Sequence, residues 1–306
     1  MDFSFLMKRV MLCLGLAAGL CTLQACSPMP SAIKQQQQFI QTDLLTNPNI
    51  EHYQLTADNF SLNVHANGRA EQAVMVWIHG TPGSWQDSAY LITEPSLTSK
   101  IRVVSFDRPG WGLSQYQDQA KPVANMQAQA KLISPLIQHL KQKYPELPLI
   151  LVGHSWGASL APIIAEHNPQ QIDGLLLLAG GMSKQLTQAR WYNKFARSGV
   201  GHYLLSLSDM GKQLNQANLD MFALQNGLAD SPERLASLKI PVVLVQGGKD
   251  HLVDPKNADF AEQYLPAQHS KVIRLAEQGH FLQVEQVELI SRCTYALVNN
   301  KLNDCG

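Results

Sequence analysis

Short apolar runs recur along this chain, separated by segments whose apolar residues fall at helical spacing. Glu51 to Thr56 and Phe60 to His65 alternate apolar and polar positions around Ala57-Asp58-Asn59, which predicts an antiparallel hairpin. Ala73 to Ile78, Ile101 to Phe106, Leu149 to Val152, Gly174 to Ala179, Val242 to Gln246 and Lys271 to Leu275 then read as strands. Between them, Val123, Met126, Ala130, Ile133, Ile137 and Leu140 mark one helix, in which Pro135 predicts a bend. A second helix follows Ser155 to about Asn168. Val284, Val287, Ile290, Cys293 and Leu297 mark a closing amphipathic one. Strands alternating with helices predict a mostly parallel sheet with helices on both faces. Sites in such sheets form at the carboxyl ends of strands.

One of those ends carries Gly153-His154-Ser155-Trp156-Gly157, directly after the apolar run and directly before helix-like sequence. A serine on a tight strand-to-helix turn is held with its hydroxyl exposed, and the flanking glycines let the turn pack closely. The helix beginning at Trp156 turns its free N–H groups and positive dipole end toward the serine, where an oxyanion would form. Ser155 is a poor nucleophile without a base. His280, on a short loop after the last strand, is the best placed of ten histidines; His52, His139, His167 and His269 read as surface or packing residues.

Composition narrows the function. Lys plus Arg and Asp plus Glu both number 24, so the zero net charge gives no electrostatic case for nucleic acid. No metal-binding signature, nucleotide loop or cofactor motif is present, and no cofactor is expected. Met7-Lys8-Arg9 and the apolar run Val10 to Leu20 read as a signal segment too short to span a bilayer comfortably. Leu23-Gln24-Ala25-Cys26 resembles the lipobox of bacterial lipoproteins. That implies lipidation of Cys26, anchoring in the outer membrane facing the periplasm, and a flexible tether over Ser27 to Gln41. Cys13 and Cys21 leave with the signal. Cys293 and Cys305 remain, expected as a disulfide in an oxidising compartment.

Taken together, His79-Gly80-Thr81-Pro82-Gly83, Asp107-Arg108-Pro109-Gly110-Trp111-Gly112 and Gly153-His154-Ser155-Trp156-Gly157 resemble the α/β-hydrolase superfamily of lipase- and esterase-like enzymes. The resemblance implies an α/β fold with a mostly parallel eight-stranded sheet and a small helical cap. It divides the chain into a signal over 1–25, a tether over 26–49, a core over 50–181 and 239–306, and a cap over 182–238. It also implies a catalytic set of Ser155, Asp250 and His280, in the family's chain order. Asp254, four residues beyond Asp250, reads as the cap of a helix beginning at Pro255. Thr81, by resemblance, joins Trp156 as an oxyanion-hole donor. His79 and His154 take structural roles, and Asp107 to Gly112 braces the site. Trp191, Tyr192, Phe195, Tyr203, Leu204, Met221 and Phe222 are apolar enough either to roof a pocket or to pack the cap onto the core.

The expected activity is a serine hydrolase that cleaves an ester, thioester or amide of a small or lipidic acyl substrate. A prolyl-iminopeptidase-like aminopeptidase is the alternative within enzymes. An envelope lipoprotein that uses the fold only to bind is the alternative outside them.

Overall fold

The computed structural model describes residues 31–118 and 122–306. The signal segment and Cys26 lie outside them.

Nine strands form one sheet: β1 (Glu51–Ala57), β2 (Phe60–Asn67), β3 (Ala73–Ile78), β4 (Ile101–Phe106), β5 (Gln115–Tyr116), β6 (Leu149–His154), β7 (Gly174–Leu178), β8 (Val242–Gly247) and β9 (Ser270–Leu275). Their spatial order is β1-β2-β4-β3-β6-β7-β8-β9, with β5 paired to β2. β1, β2 and β5 make antiparallel pairings, while β4, β3, β6, β7, β8 and β9 run parallel. The alternation in the sequence implied eight strands. The ninth, β5, is a two-residue bridge too short to leave a periodic signal.

The parallel strands are buried on both faces, and the period of two sorts their side chains between two cores. Val74, Val76 and Ile78 of β3 join Leu149 and Leu151 of β6 on one face. Ala73, Met75 and Trp77 join Ile150 and Val152 on the other.

The longer helices are α1 (Ser31–Phe39), α2 (Met126–Lys143), α3 (Trp156–His167), α4 (Trp191–Ala196), α5 (Gly199–Ser206), α6 (Asp209–Gly227), α7 (Ser231–Ser237), α8 (Lys256–Tyr264) and α9 (Val287–Val298), with single turns at Ala89–Ile92, Pro95–Thr98 and Leu282–Glu285. Helices α2 and α3 cover the first face and α9 the second. Asn125 caps α2 by accepting the Ala128 N–H at 2.9 Å, and the helix continues through Pro135. Cys293 of α9 and Cys305 are joined as a disulfide, which fastens the last turn of the chain to that helix.

The segment expected as a flexible tether is helical from Ser31 onward. Helix α1 and the wider turn Ile40–Leu44 bring Phe39, Ile40 and fully buried Leu44 against the second core. Gln36 donates to the Asp87 carbonyl at 3.2 Å. Four consecutive glutamines mask the helical signal here, since the residues that bury, Phe39, Ile40 and Leu44, come after them.

Candidate active site

The carboxyl ends of β3, β4, β6, β8 and β9 converge on Ser155. This residue adopts φ 54° and ψ −119°, a combination that L side chains rarely hold. Its N–H donates to the Leu178 carbonyl of the neighbouring strand at 2.8 Å, which fixes the turn. The flanking glycines are needed for space. A Cβ at Gly157 would run into the Ile78 carbonyl, and one at Gly153 into the backbone of Gly157.

Asp250 and His280 meet behind the serine. The imidazole Nδ1 lies 2.7 Å from Asp250 Oδ2. The carboxylate only accepts, so this contact assigns the proton to Nδ1 and leaves the Nε2 lone pair free. Asp250 is itself oriented by Gln246 Nε2 at 3.1 Å and by the N–H groups of Leu252 and Val253 at 2.8 and 2.9 Å. Burial pushes the Asp250 carboxyl up, but His280 and those two N–H donors together hold it below the ordinary value. His154 donates from Nε2 to the His280 carbonyl at 2.9 Å and steadies its backbone. Burial, with His280 nearby, lowers the His154 pKa to about 3, so its ring is neutral. Asp254 lies apart from this contact. Its Oδ1 accepts the Lys256 N–H at 2.9 Å, at the start of α8. Ser155 Oγ makes no hydrogen bond to His280 among the described residues. Such contacts commonly tighten only when substrate is bound.

The turn after β3 crosses directly in front of the serine. A Cβ at Gly80 would sit 3.1 Å from that of Ser155. The Trp156 N–H opens α3 and has no intrahelical acceptor. Thr81 follows Gly80, and its peptide bond to Pro82 is cis.

Arg108, fully buried, clamps this turn from below. Its Nε donates to the His79 carbonyl at 2.9 Å, and Nη2 donates to the Gly80 carbonyl at 2.8 Å. Its guanidinium lies 4.0 Å from the centre of the Trp156 ring. His79 completes the brace, with Nδ1 donating to the Gly80 carbonyl and Nε2 accepting the Arg108 N–H at 2.9 Å. Asp107 is saturated: it accepts from the N–H groups of Trp85 and Leu113 and from Asn63 Nδ2.

One residue here escaped sequence reasoning. Asp220 lies on α6, well inside the segment between β7 and β8, and is fully buried. Its Oδ2 accepts from Thr81 Oγ1 at 2.8 Å, Arg108 Nη2 at 3.0 Å and Trp111 Nε1 at 3.0 Å. Its carbonyl accepts from Trp156 Nε1 at 3.1 Å. No spacing rule connects an acid on a long helix to an arginine 112 positions earlier. Asp220 is one polar residue among many on α6, so nothing in the helix's own pattern marks it.

Several known proteins resemble the chain. Rat (Rattus norvegicus) monoglyceride lipase is 23% identical over 220 residues, covering 63% of this chain and 71% of that protein. Proline iminopeptidase of Lactobacillus acidophilus is 27% identical over 127 residues, covering 41% of this chain and 40% of that protein. The structure of a haloalkane dehalogenase from Bradyrhizobium elkani superposes with a TM-score of 0.64 at 20% identity, over 82% of this chain and 98% of that one. This last likeness concerns the fold alone. Residues 75–292 match the alpha/beta hydrolase family over well more than half of the sequence, and the chain belongs to that family.

Proposed function

We propose that the protein is a serine hydrolase that transfers an acyl group from an ester, thioester or amide to Ser155 and then to water. The observation that carries this reading is the 2.7 Å contact between His280 Nδ1 and Asp250 Oδ2, behind a serine in a strained turn. Ser155 Oγ attacks the substrate carbonyl carbon and passes its proton to His280 Nε2. Asp250 stabilises the imidazolium that results. The carbonyl oxygen, now anionic, accepts from the N–H groups of Thr81 and Trp156. Collapse of the tetrahedral species expels the alcohol, thiol or amine, which takes the proton from His280. A water molecule then repeats the sequence on the acyl-enzyme, giving its proton to His280, and the carboxylic acid departs.

A serine at the elbow supports acyl transfer over the chemistry of superfamily members that use a carboxylate there. The aminopeptidase reading needs a carboxylate free to hold an amine. Asp220, the one buried acid between β7 and β8, is already paired with Arg108. Lipidation at Cys26 and an outer-membrane location facing the periplasm remain part of the proposal, on the strength of Leu23-Gln24-Ala25-Cys26 alone.

The test is turnover of p-nitrophenyl esters of increasing acyl length beside L-prolyl p-nitroanilide, with Ser155→Ala as the control. Ester turnover that vanishes in Ser155→Ala supports the reading. Preference for the proline amide would establish the aminopeptidase. A folded protein that turns over none of them would move the assignment to a binding protein.

A further inference from the structure

The outer surface of the cap helices is apolar where a solvated helix should be polar. Val200, Tyr203, Leu204 and Leu207 stand at i, i+3, i+4 and i+7, the stripe that normally faces a core. Here all four are exposed, and Trp191 on α4 and Met210 on α6 extend the same kind of surface, 65% and 74% exposed. Helices α4, α5 and α6 pack on one another, which gathers these exposed side chains on one small helical layer. Trp191, Tyr203 and Leu204, whose composition suggested a pocket roof or packing of the cap onto the core, are exposed instead.

The charge of the same segment is one-sided. Residues 191–212, which carry this face, contain Lys194, Arg197 and Lys212 against a single acid, Asp209, which pairs with Lys212 at 2.8 Å, in a chain whose net charge is zero. Lys194 and Arg197 make no ion pair among the described residues, and the Arg197 guanidinium lies 4.6 Å over the Phe222 ring. Exposed Leu, Val and Met beside Trp, Tyr and unpaired cations is the chemistry of a helix lying in a lipid headgroup region. It suits a second copy of this chain poorly, because two such faces would bring like charges together. Among the described residues no helix is long and apolar enough to cross a bilayer, so the contact would be interfacial.

We infer that the exposed apolar and cationic face of the cap docks on the surface of an anionic lipid bilayer. This face lies close to the candidate site. From Met210, α6 runs ten residues to Asp220 behind Thr81, about 15 Å of helix. The inference does not depend on the hydrolase reading, and its test uses no activity.

The tryptophans supply a direct probe. Of five in the chain, Trp77, Trp85, Trp111 and Trp156 are buried and Trp191 is exposed. The full-length protein is mixed with vesicles of brominated phosphatidylcholine and phosphatidylglycerol in equal parts, and its tryptophan emission is recorded. Docking predicts a bromine-quenched component that disappears in Trp191→Phe, in pure phosphatidylcholine vesicles and at high salt. Leu207→Ser with Met210→Ser, both in solvent-exposed positions, weakens the vesicle titration by roughly tenfold or more. Lys194→Gln weakens it about fivefold. Co-sedimentation without quenching of Trp191 would place any membrane contact elsewhere in the chain and overturn the inference. Equal quenching in neutral and anionic vesicles would overturn it too. A Trp191 blue shift that grows with protein concentration without vesicles would show a second copy on this face instead.

Discussion

Thr81 and Asp220 are 139 positions apart, yet Thr81 Oγ1 donates to Asp220 Oδ2 at 2.8 Å. Through that bond, and through Trp156 Nε1 on the Asp220 carbonyl, one residue of α6 holds both proposed oxyanion donors. Burial lowers the Arg108 pKa and raises that of Asp220, so desolvation opposes this pair and its net worth is small. Breaking it is another matter. Asp220→Asn strands a buried guanidinium and is expected to cost about 3 kcal/mol or more in urea denaturation. If enough stability remains to fold, turnover should fall by roughly tenfold or more through kcat, with KM nearly unchanged, because the donors act mainly in the transition state. A loss confined to KM would instead make Asp220 a substrate-binding residue.

Acid should destabilise the fold through buried imidazoles before the ordinary carboxylates titrate. His154 has a pKa of about 3 and His79 one well below 6.5, both chiefly from burial, to which His280 beside the first and Arg108 beside the second add. Below pH 6.5 the unfolded chain binds protons that these rings refuse, so their contribution is whole above 6.5 and is lost progressively as pH falls below it, for His154 down to about pH 3. The loss is about 1.4 kcal/mol per pH unit for each ring. Asp87, pushed up to about 7 by burial, and Asp220, also raised, work in the opposite sense. The clean measurement is therefore a difference. Urea denaturation at pH 7.5 and 5.5 should show His154→Gln losing about 1 kcal/mol less than wild type. Equal losses would contradict a neutral, buried His154.

Two neighbouring acids have different partners, and their variants should separate. Asp250→Asn keeps its size but removes the charge facing His280, so turnover should drop by up to about 10⁴-fold with the fold intact. Asp254→Asn weakens only the start of α8, a stability cost of about 1 kcal/mol or less. Steady-state kinetics with circular dichroism decides between them. The reverse pattern would reassign the acid.

How far the sequence reaches depends on whether a signal is local. The bounds of β3 and β4 are legible to the residue, because each is a buried, mostly apolar run ended by a glycine-bearing loop. The Ser155 turn is likewise written in adjacent residues. Asp220 is invisible in the sequence because its partners are scattered over the loops after β3 and β4 and the start of α3. Helix α1 was misjudged because polar glutamines masked Phe39 and Leu44, which bury only against a sheet that forms elsewhere. The outward stripe on α5 had the right period, but periodicity cannot say which way a face turns.

The disulfide between Cys293 and Cys305 closes a short loop onto α9. In the chain-entropy account such a loop contributes about 3 kcal/mol. Unfolding free energies from denaturant titrations with and without reductant should differ by that amount. Two free thiols in the non-reduced, unfolded protein would contradict the pairing.

The central claim is that Ser155 is an activated nucleophile, and a fluorophosphonate probe reads it most directly. A serine on a solvated turn without a base does not react, whereas one served by His280 does. The account predicts phosphonylation of the peptide bearing Ser155 within minutes, seen by mass spectrometry. Labelling should be abolished in Ser155→Ala and greatly slowed in His280→Ala. An intact, folded protein that stays unlabelled, or one labelled equally well without His280, would contradict it.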